Sequence, residues 1–352
     1  MSRKKLLLIG AGPTSSLIIH NLQSLPHLKN AFDIQVWEKD RRVGGRFLTF
    51  QSPTSSSYGD LGAQYLTSSG LSFSQPYFKD LLDNKLIRRL DTLNIPGFNH
   101  AHSVGKVNYV CTSGAASIVE HFFHQADNIS LSFDKHVTGI NTCNNGQVSV
   151  ITKGGDQENY DIVITTIPVP QLLKLSGSVF EENSALQENL RKVQYTTRFA
   201  LGLFYDSKEG PFANLQDSQP LNFIDDPIIR YWSVENRKRG TEDHEQCAIV
   251  AHTSVMFGAE NMNKSPDSVK DLLLEKVYEN LKPAISSTKL HHFVKCHKWK
   301  YSQVANPYLG TPGFVELTKS VIAAGDGFVR SGFEGCIESS QKTVEFLLKS
   351  LI

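Results

Sequence analysis

Apolar runs of strand length, separated by a glycine turn and a helical pattern, open the 352-residue chain. Leu6 to Ile9 is uninterrupted, which is typical of a strand buried on both faces of a parallel sheet. A turn at 10–14 is followed by a helical pattern at 15–25 and by a second strand at 34–38. The order strand, turn, helix, strand predicts a βαβ unit.

The hydrophobic pattern changes in the middle of the chain, over about residues 193–299. Alternating runs at 198–205 and 247–253 indicate strands, and Ser265-Pro266 begins a helical pattern that ends at Leu281. We expect a mixed sheet with one covering helix here. Shorter patterns predict a surface loop at 51–57, helices at 77–86, 114–125 and 335–351, and strands at 108–111, 129–133, 146–153 and 161–168.

Charge and composition narrow the possible function classes. The 36 Lys and Arg residues balance 35 Asp and Glu residues, so the net charge is +1 and no long-range field attracts nucleic acid or an anionic membrane. The basic cluster at 237–239 is short, and we expect it to be solvated. No apolar run approaches the roughly 20 residues of a membrane helix. We therefore expect neither a nucleic-acid nor a membrane partner.

Cysteine and histidine usage favours reduced thiols and no metal. The five cysteines include no CxxC pair, and His121 and His124 lack a carboxylate or cysteine at ligand spacing. The apolar run that ends at Ile9 is too short for a signal peptide. We expect a cytoplasmic protein, with export by another route and the oligomeric state left open.

The first glycine turn is suited to a pyrophosphate. Gly10 permits a sharp turn, Gly12 lets backbone N–H groups approach a phosphate, and the helix N-terminus adds partial positive charge. Glu38 ends the second strand, where a carboxylate can accept hydrogen bonds from the hydroxyls of an adenosine ribose. Gly44-Gly45-Arg46 then gives a flexible backbone and a bidentate phosphate donor.

These motifs, with Gly325-Asp326 after a buried strand near the other end, resemble FAD enzymes of the amine oxidase and p-hydroxybenzoate hydroxylase type. A narrower resemblance, to the renalase family, covers nearly the whole chain in family order. It is carried by Asp60-Leu61-Gly62-Ala63-Gln64-Tyr65, Ile167-Pro168-Val169-Pro170, Ala200-Leu201-Gly202-Leu203-Phe204-Tyr205, Lys298-Trp299 with Ser302-Gln303-Val304, and Gly325-Asp326-Gly327-Phe328.

The resemblance implies an α/β fold of the p-hydroxybenzoate hydroxylase type, with an α+β second domain. We expect a discontinuous Rossmann-type FAD-binding domain over residues 1–75, 107–175 and 315–352. A mixed-sheet substrate domain should comprise residues 76–106 and 176–314. The implied cofactor is noncovalent FAD, and the implied partners are O2 and an isomeric dihydronicotinamide dinucleotide. The implied reaction oxidises 2- and 6-dihydroNAD(P) to NAD(P)+ by hydride transfer to flavin N5 and releases hydrogen peroxide.

The resemblance also implies individual cofactor contacts. Thr14 and Arg46 should contact the FAD phosphates, Asp326 the phosphate or ribityl region, and Val137 the adenine. Gln64 and Tyr65 should lie along the flavin, and the helix that starts near Gly335-Cys336-Ile337 should point at its O2 side. The full cofactor-binding set is Gly10, Gly12, Pro13, Thr14, Glu38, Gly45, Arg46, Gly62, Gln64, Tyr65, Val137, Gly325, Asp326, Gly335, Cys336 and Ile337.

Two residues, one next to this set and one within it, raise questions of their own. Ser15 stands where the family carries glycine, so we expect looser packing between the first helix and strand. Cys336 lies at an expected helix N-terminus, which should lower the pKa of its thiol.

Hydride transfer needs little acid–base machinery from the protein, so no catalytic triad is expected. The candidate catalytic residues are Tyr65, His252, Trp299 and Gln303, with Asn306 and Arg230 as weaker binding candidates. Trp299 could stack on a nicotinamide or be a core residue. His252 could stabilise charge or handle a peroxide proton, or be a satisfied core histidine.

Two other functions stay open at this point. The first is a catecholamine or other amine oxidase, in which Lys298 or Lys300 would hydrogen-bond a water at flavin N5. The second is a flavin-binding signalling protein without turnover. A monooxygenase is less favoured, because no second GxGxxG motif is present to bind NADPH.

Overall fold

A computed structural model describes residues 3–26, 28, 30–91, 95, 97–98, 105–180, 184–205, 221–241, 247–281, 291–310 and 313–351. The chain forms two compact units. The first contains Met1–Arg46, Ile118–Tyr195 and Val304–Ile352, and the second contains Phe47–Ser117 and Thr196–Gln303.

The strands, numbered along the chain, are β1 Lys4–Ile9, β2 Phe32–Trp37, β3 Thr49–Gln51, β4 Tyr58–Asp60, β5 Leu66–Ser68, β6 Ile87–Leu90, β7 Val107–Cys111, β8 Ile129–Ser132, β9 Val137–Thr142, β10 Val148–Thr152, β11 Gln157–Tyr160, β12 Ile162–Thr165, β13 Gln194–Tyr195, β14 Arg198–Tyr205, β15 Leu221–Phe223, β16 Ile229–Val234, β17 Cys247–Thr253, β18 Phe293–Trp299, β19 Val304–Asn306, β20 Phe314–Thr318 and β21 Val321–Ala324. The helices are α1 Pro13–Ser24, α2 Gln75–Asp83, α3 Ala116–His124, α4 Val169–Leu172, α5 Ser184–Arg191, α6 Glu235–Arg239, α7 Val255–Glu260, α8 Pro266–Leu281 and α9 Phe333–Leu351. Short 3-10 turns lie at Gly45–Phe47, Ser178–Phe180 and Asp326–Phe328.

The boundaries of the compact units differ from the domain boundaries expected from the sequence. Residues 47–75 and 107–117, expected in the FAD-binding domain, are grouped with the second unit, and residues 176–195 and 304–314, expected in the substrate domain, are grouped with the first unit. The reason is strand pairing, since β3 pairs with β4, and β7 pairs with both β5 and β6. Parts of the expected ranges 76–106 and 176–314 lie outside the described residues.

A six-stranded sheet forms the centre of the first unit, in the order β20-β21-β12-β1-β2-β8. Its pairs are parallel except for β20 with β21, which run antiparallel. The apolar run Leu6–Leu8 is fully buried because β1 has a neighbouring strand on each side and is covered on both faces. The carboxyl ends of β1, β2, β12 and β21 therefore meet at one edge of the sheet, the usual place for a ligand in such folds.

Helices α1 and α9 pack against each other through small polar side chains in the first unit. Ser339, Ser340 and Thr343 of α9 are fully buried, and Asn21 of α1 donates a hydrogen bond to Ser340 at 3.1 Å. Small residues let the two helix backbones approach closely. This packing places the N-terminal ends of both helices at the carboxyl edge of the sheet.

The second unit is built on a five-stranded sheet in the order β15-β16-β17-β14-β18, and all of its pairs are antiparallel. Helix α8 covers one face with Val269, Leu273, Val277 and Leu281, each buried. Burial of each such side chain contributes roughly 1.5–3 kcal/mol. The predicted start of this helix is confirmed, since the Ser265 hydroxyl accepts a hydrogen bond from the Ser268 N–H at 3.2 Å.

The opposite face of this sheet carries the candidate substrate residues. Strand register places His252 and His297 on either side of Ala200, and Trp299 beside Arg198. Side chains two residues apart on a strand share a face, so these residues lie together. We call this surface the Arg198 face; it comprises Arg198, Ala200, Tyr231, His252, His297 and Trp299.

No helix in the described residues is long and apolar enough to span a bilayer.

Candidate functional site

The first loop of the first unit connects β1 to α1 in a conformation that needs glycine at one position. Gly10 has a φ of +101°, and its N–H donates to the Trp37 carbonyl at 2.8 Å. Gly12 is the N-cap of α1 and Pro13 its first residue. Among the described residues no side chain caps this helix start, so its first N–H groups face the edge of the sheet ready for an anion.

Gly12 shows that this loop is shaped for a ligand. Its backbone is extended, and a Cβ built there would lie 3.9 Å from the Gly45 Cα, an ordinary contact distance. Neither the backbone conformation nor the neighbouring protein atoms therefore require glycine here. A bound phosphate group explains the missing side chain, and on this observation the loop fits the pyrophosphate of a dinucleotide.

Ser15 does not loosen the packing of this loop, contrary to the expectation from the sequence. The residue is fully buried, and its hydroxyl donates to the Gly10 carbonyl at 2.6 Å. The same hydroxyl lies 2.8 Å from the Thr166 hydroxyl, just after β12. Serine thus replaces glycine's close packing with two hydrogen bonds that tie the turn to a neighbouring strand.

Glu38 lies directly beneath the same loop. One carboxylate oxygen accepts a hydrogen bond from the Ala11 N–H at 2.7 Å, and the other accepts one from the Asp40 N–H at 2.9 Å. Burial raises the pKa of this carboxyl, although the two backbone donors oppose that shift. Each oxygen retains a free lone pair, so the group can still accept hydrogen bonds from ribose hydroxyls.

The Gly44-Gly45-Arg46 segment packs against the first loop. The Gly44 N–H donates to the Ala11 carbonyl at 2.9 Å, and Gly45 has a φ of +52°. A Cβ on Gly45 would lie 3.2 Å from the Gly12 Cα. Glycine is thus required at position 45 by the fold itself, whereas at position 12 only a bound ligand explains it.

Arg46 is held by Asp326, which follows β21 and Gly325. Two parallel hydrogen bonds of 2.9 and 2.5 Å join the guanidinium and the carboxylate. Burial alone would lower the pKa of Arg46, but the charge and hydrogen bonds of Asp326 raise it instead. Both Asp326 oxygens accept from Arg46, which orients that guanidinium, and a contact of Asp326 with the phosphate or ribityl region of FAD remains a prediction.

The first turn of α9 lies against the same segment. A Cβ on Gly335 would fall 1.9 Å from the Arg330 carbonyl oxygen, so no other residue fits there. Ile337 is fully buried, and Val137 is buried at the start of β9. These positions shape the unit from inside, and their proposed contacts to FAD remain predictions.

Cys336 is not the activated thiol that its place near a helix start suggested. Burial, followed by the negative charge of Asp326, raises the pKa of its thiol to about 12, which outweighs the hydrogen bond from Thr14. The thiol is therefore protonated at neutral pH and is a poor nucleophile. This agrees with the prediction of a noncovalent cofactor.

In the second unit, the chain after β4 places Gln64 against His252 of the Arg198 face. The Gln64 Nε2 and His252 Nε2 atoms lie 2.9 Å apart, and the Gln64 Oε1 accepts from the Lys238 ammonium at 3.2 Å. Because an ammonium can only donate, it determines which way the amide of Gln64 points. Its nitrogen also donates to the carbonyls of Asp60 and Gly62.

Lys238 belongs to a fully buried cluster of charges that the sequence analysis missed. Its Nζ lies 2.6 Å from a Glu235 oxygen and 3.5 Å from an Asp60 oxygen. Arg239 pairs with the same two acids at 2.7 and 3.1 Å. Two cations thus compensate two anions, and the pKa of Asp60 falls to about 2 because the charges of Arg239 and Lys238 outweigh the opposing effect of burial.

The expectation that the basic cluster at 237–239 is solvated is therefore wrong for Lys238 and Arg239. A signal was available in the sequence, because Glu235 precedes these residues by three and four positions on a helix. The second acid, Asp60, comes from a distant part of the chain and gave no such signal.

His252 is uncharged at neutral pH. Burial, and then the positive charges of Arg198, Lys238 and His297, lower its pKa to about 3. Its ring meets that of Tyr231 edge-on at a centroid distance of 5.8 Å. The imidazole is thus a neutral hydrogen-bonding group, and its part in handling a peroxide proton remains a prediction.

The other predicted substrate residues occupy different settings. Trp299 donates from its ring nitrogen to the Leu61 carbonyl at 2.6 Å, which fixes its orientation on the Arg198 face. Tyr65 packs against Phe98 and Phe223 at ring-centroid distances of 6.1 and 6.3 Å. Gln303 is exposed, and among the described residues none of its contacts places it on the Arg198 face. Its backbone carbonyl accepts a hydrogen bond from the Thr196 N–H at 2.8 Å.

The weaker candidates are engaged elsewhere. Asn306 donates to the Gln194 side chain at 2.8 Å, in the first unit. Arg230 lies 3.6 Å from the exposed Asp225 and donates to the Ile224 carbonyl at 2.5 Å. Gly62 donates its N–H to the Leu48 carbonyl at 3.1 Å, within the second unit.

Comparison with known proteins agrees with this geometry. Residues 8–84 match an NAD(P)-binding Rossmann-like domain, and residues 91–348 match the family described as flavin containing amine oxidoreductase. The renalase of Mus musculus is 31% identical over 354 residues, covering 97% of this chain and 98% of that protein.

Solved structures share the fold at low sequence identity. One is described as a protoporphyrinogen oxidase from Exiguobacterium sp. 255-15, with a TM-score of 0.70 and 13% identity over 99% of each chain. Another is a wild-type putrescine oxidase bound to putrescine, with a TM-score of 0.70 and 11% identity over 99% of each chain.

The dinucleotide cradle of the first unit and these matches define an FAD-dependent oxidoreductase of the oxidase type. The α/β fold class and FAD as cofactor are confirmed. The chain belongs to the flavin-containing amine oxidoreductase family and, within it, to the renalases.

Proposed function

We propose that this protein oxidises the 2- and 6-dihydro isomers of NAD(P), with dioxygen as the electron acceptor. One dihydronicotinamide dinucleotide, one dioxygen and one proton would give one NAD(P)+ and one hydrogen peroxide. The likeness to a renalase over nearly the whole chain supports this proposal. So does the chemistry of the Arg198 face.

The residues of the first unit fit the cofactor this reaction needs. Gly12, the N-terminus of α1 and Arg46 would hold the FAD pyrophosphate, and Glu38 would hold the adenosine ribose. When bound, FAD supplies a hydride acceptor at its N5 atom and passes the electrons to dioxygen. Asp326 keeps the Arg46 guanidinium in one orientation for the phosphates.

The setting of His252 on the Arg198 face is the observation that carries the proposal, since its ring lies 2.9 Å from the Gln64 Nε2 and meets the Tyr231 ring edge-on. A dihydronicotinamide gives up a hydride directly, so its oxidation needs no base to remove a proton and no acid to supply one to the donor. A buried imidazole with a pKa of about 3 suits that task, because it offers a hydrogen bond without changing charge near neutrality. Gln64 and Trp299, each held by protein hydrogen bonds, would complete an oriented surface beside the imidazole.

The amine oxidase alternative receives less support from the same unit. An alkylammonium must lose a proton before oxidation, and the positive charge of Arg198 beside His252 would repel it. Lys298, considered as a water-binding lysine, lies opposite Phe199 in strand register and so faces α8. Its ammonium donates to the carbonyls of Met262 and Lys264, at 3.3 and 2.8 Å.

The proposal is tested by product stoichiometry in air. We expect FAD-loaded protein supplied with 6-dihydroNAD to consume one O2 and form one hydrogen peroxide for each NAD+ produced. Ordinary NADH and a catecholamine, supplied in parallel, should give rates lower by orders of magnitude. Turnover of the catecholamine without turnover of 6-dihydroNAD would overturn the proposal in favour of an amine oxidase.

A further inference from the structure

We propose that Arg198 determines substrate specificity by binding an anionic group of the substrate, namely the pyrophosphate of a dinucleotide. The identity of the dinucleotide rests on the proposed function. The preference for an anion rests on the charges of the second unit alone.

Arg198 is a partly buried cation with no acidic partner among the described residues. Its guanidinium donates to the Thr253 carbonyl at 2.9 Å, which satisfies one N–H but supplies no compensating charge. Within the described residues no carboxylate lies within 4.0 Å of it. Lys238 and Arg239 of the same unit, by contrast, are each paired with two acids.

The titratable groups around Arg198 do not neutralise it. Tyr65 could do so as a phenolate, but burial raises its pKa, so it remains a neutral hydroxyl at pH 7. Arg230 adds a second positive charge, and both burial and that charge lower the pKa of Arg198. His252 on the same face is neutral, and Lys238 behind it is positive and paired.

A half-desolvated guanidinium without a counter-ion costs folding free energy. A ligand that supplies a negative charge would offset that cost and explain why the residue is present. The planar fork of arginine matches the oxygens of a phosphate in two parallel hydrogen bonds. Strand register places Arg198 beside Trp299 and two residues from Ala200, the partner of His252. An anion at Arg198 would therefore belong to a molecule that also reaches the aromatic and imidazole groups of the face.

Two substitutions in the FAD-loaded protein test the inference. Arg198→Met removes the charge and keeps much of the side-chain length, whereas Arg198→Lys keeps the charge and removes the fork. Arg191→Met, on the exposed surface of the first unit, is the control for loss of one positive charge. The holoprotein is used so that bound FAD already fills the dinucleotide cradle of the first unit.

Inorganic pyrophosphate is the probe for the anion site, and the thermal midpoint is the first readout. We expect pyrophosphate to raise the midpoint of the wild type and of Arg191→Met, and not that of Arg198→Met. Without the anion, Arg198→Met should be as stable as the wild type or more stable, because an uncompensated charge is gone. A lower midpoint with an unchanged pyrophosphate response would assign Arg198 a structural role and overturn the inference.

Steady-state kinetics supply the second readout. We expect Arg198→Met to raise the KM for 6-dihydroNAD by roughly 10- to 150-fold, the effect of losing one charge-assisted hydrogen-bonded contact, with kcat changed far less. Arg198→Lys should fall between the two proteins. An unchanged KM in Arg198→Met would overturn the inference while leaving the proposed function intact. A pyrophosphate response lost in Arg198→Met, in a protein that does not oxidise dihydroNAD, would support this inference and reject the proposed function.

Discussion

Replacing Gly12 with alanine separates what the cofactor requires from what the fold requires. The residue has φ −94° and ψ −174°, a conformation open to alanine, and the new Cβ would lie 3.9 Å from the Gly45 Cα. Alanine is a poorer N-cap than glycine, so we expect a loss of about 0.5–1 kcal/mol in the free energy of unfolding of the apoprotein.

The effect on FAD binding should be larger than the effect on folding. The methyl group would occupy space that we assign to the pyrophosphate, next to the uncapped N–H groups of α1. Loss of one hydrogen bond to a charged phosphate costs about 1.5–3 kcal/mol, which is roughly 10- to 150-fold in Kd. The measurement is a fluorescence titration of the deflavinated protein with FAD, paired with urea unfolding of the same apoprotein.

Gly45→Ala is the matched control. Its φ of +52° is strained for alanine by about 1–2 kcal/mol, and its Cβ would lie only 3.2 Å from the Gly12 Cα. We therefore expect Gly45→Ala to destabilise the apoprotein more than Gly12→Ala does. Wild-type FAD affinity in Gly12→Ala would refute the assignment of this loop to the pyrophosphate.

Three further predictions concern the buried groups of the two units. Lys238→Met leaves Asp60 and Glu235 with Arg239 as their remaining cation, so urea unfolding should show a loss of about 3–5 kcal/mol; a loss below 1 kcal/mol would contradict the pairing. Burial, and then nearby positive charge, lower the pKa of His252 from 6.5 to about 3, so the unfolded chain binds the proton first. Stability from this residue should be complete above pH 6.5 and fall by up to about 1.4 kcal/mol per pH unit below it, and urea unfolding of His252→Gln at pH 7, 6 and 5 should lack that slope. The protonated Cys336 thiol predicts that acid precipitation releases all flavin into the supernatant and that Cys336→Ala keeps the same visible spectrum; flavin in the pellet would show a covalent link.

Short-range patterns in the sequence predicted the first unit well. The run Leu6–Ile9 and the turn after it lie within a few residues of each other, and their geometry follows from backbone rules that act locally. The predicted helix at 265–281 is observed as Pro266–Leu281 with its serine cap, for the same reason. Glu38 was placed correctly at the end of β2, since the βαβ pattern itself sets its position.

Long-range partners account for what the sequence could not predict. The hydroxyl of Ser15 can hydrogen-bond the hydroxyl of Thr166 because the pairing of β1 with β12 brings Thr166 beside it. Lys238 of α6 can be buried because Asp60 of β4 reaches it and compensates its charge. Both facts depend on tertiary contacts that no local periodicity records.

Arg198 illustrates a different limit of sequence reasoning. It begins an apolar strand, where a single basic residue usually reads as a solvated end. Its significance lies in the lack of a carboxylate partner among the described residues, which is a property of the folded arrangement. The compact units differ from the expected domains for a related reason, since the pairing of β5, β6 and β7 joins segments that were expected in two different domains.

The most direct test of the central claim is an anaerobic visible spectrum of the FAD-loaded protein before and after one equivalent of 6-dihydroNAD. We expect rapid loss of the oxidised flavin absorbance with 6-dihydroNAD and little change with ordinary NADH or a catecholamine in parallel samples. Admission of air should restore the spectrum and yield hydrogen peroxide. A flavin that stays oxidised with 6-dihydroNAD and bleaches with the catecholamine would contradict the account and indicate an amine oxidase.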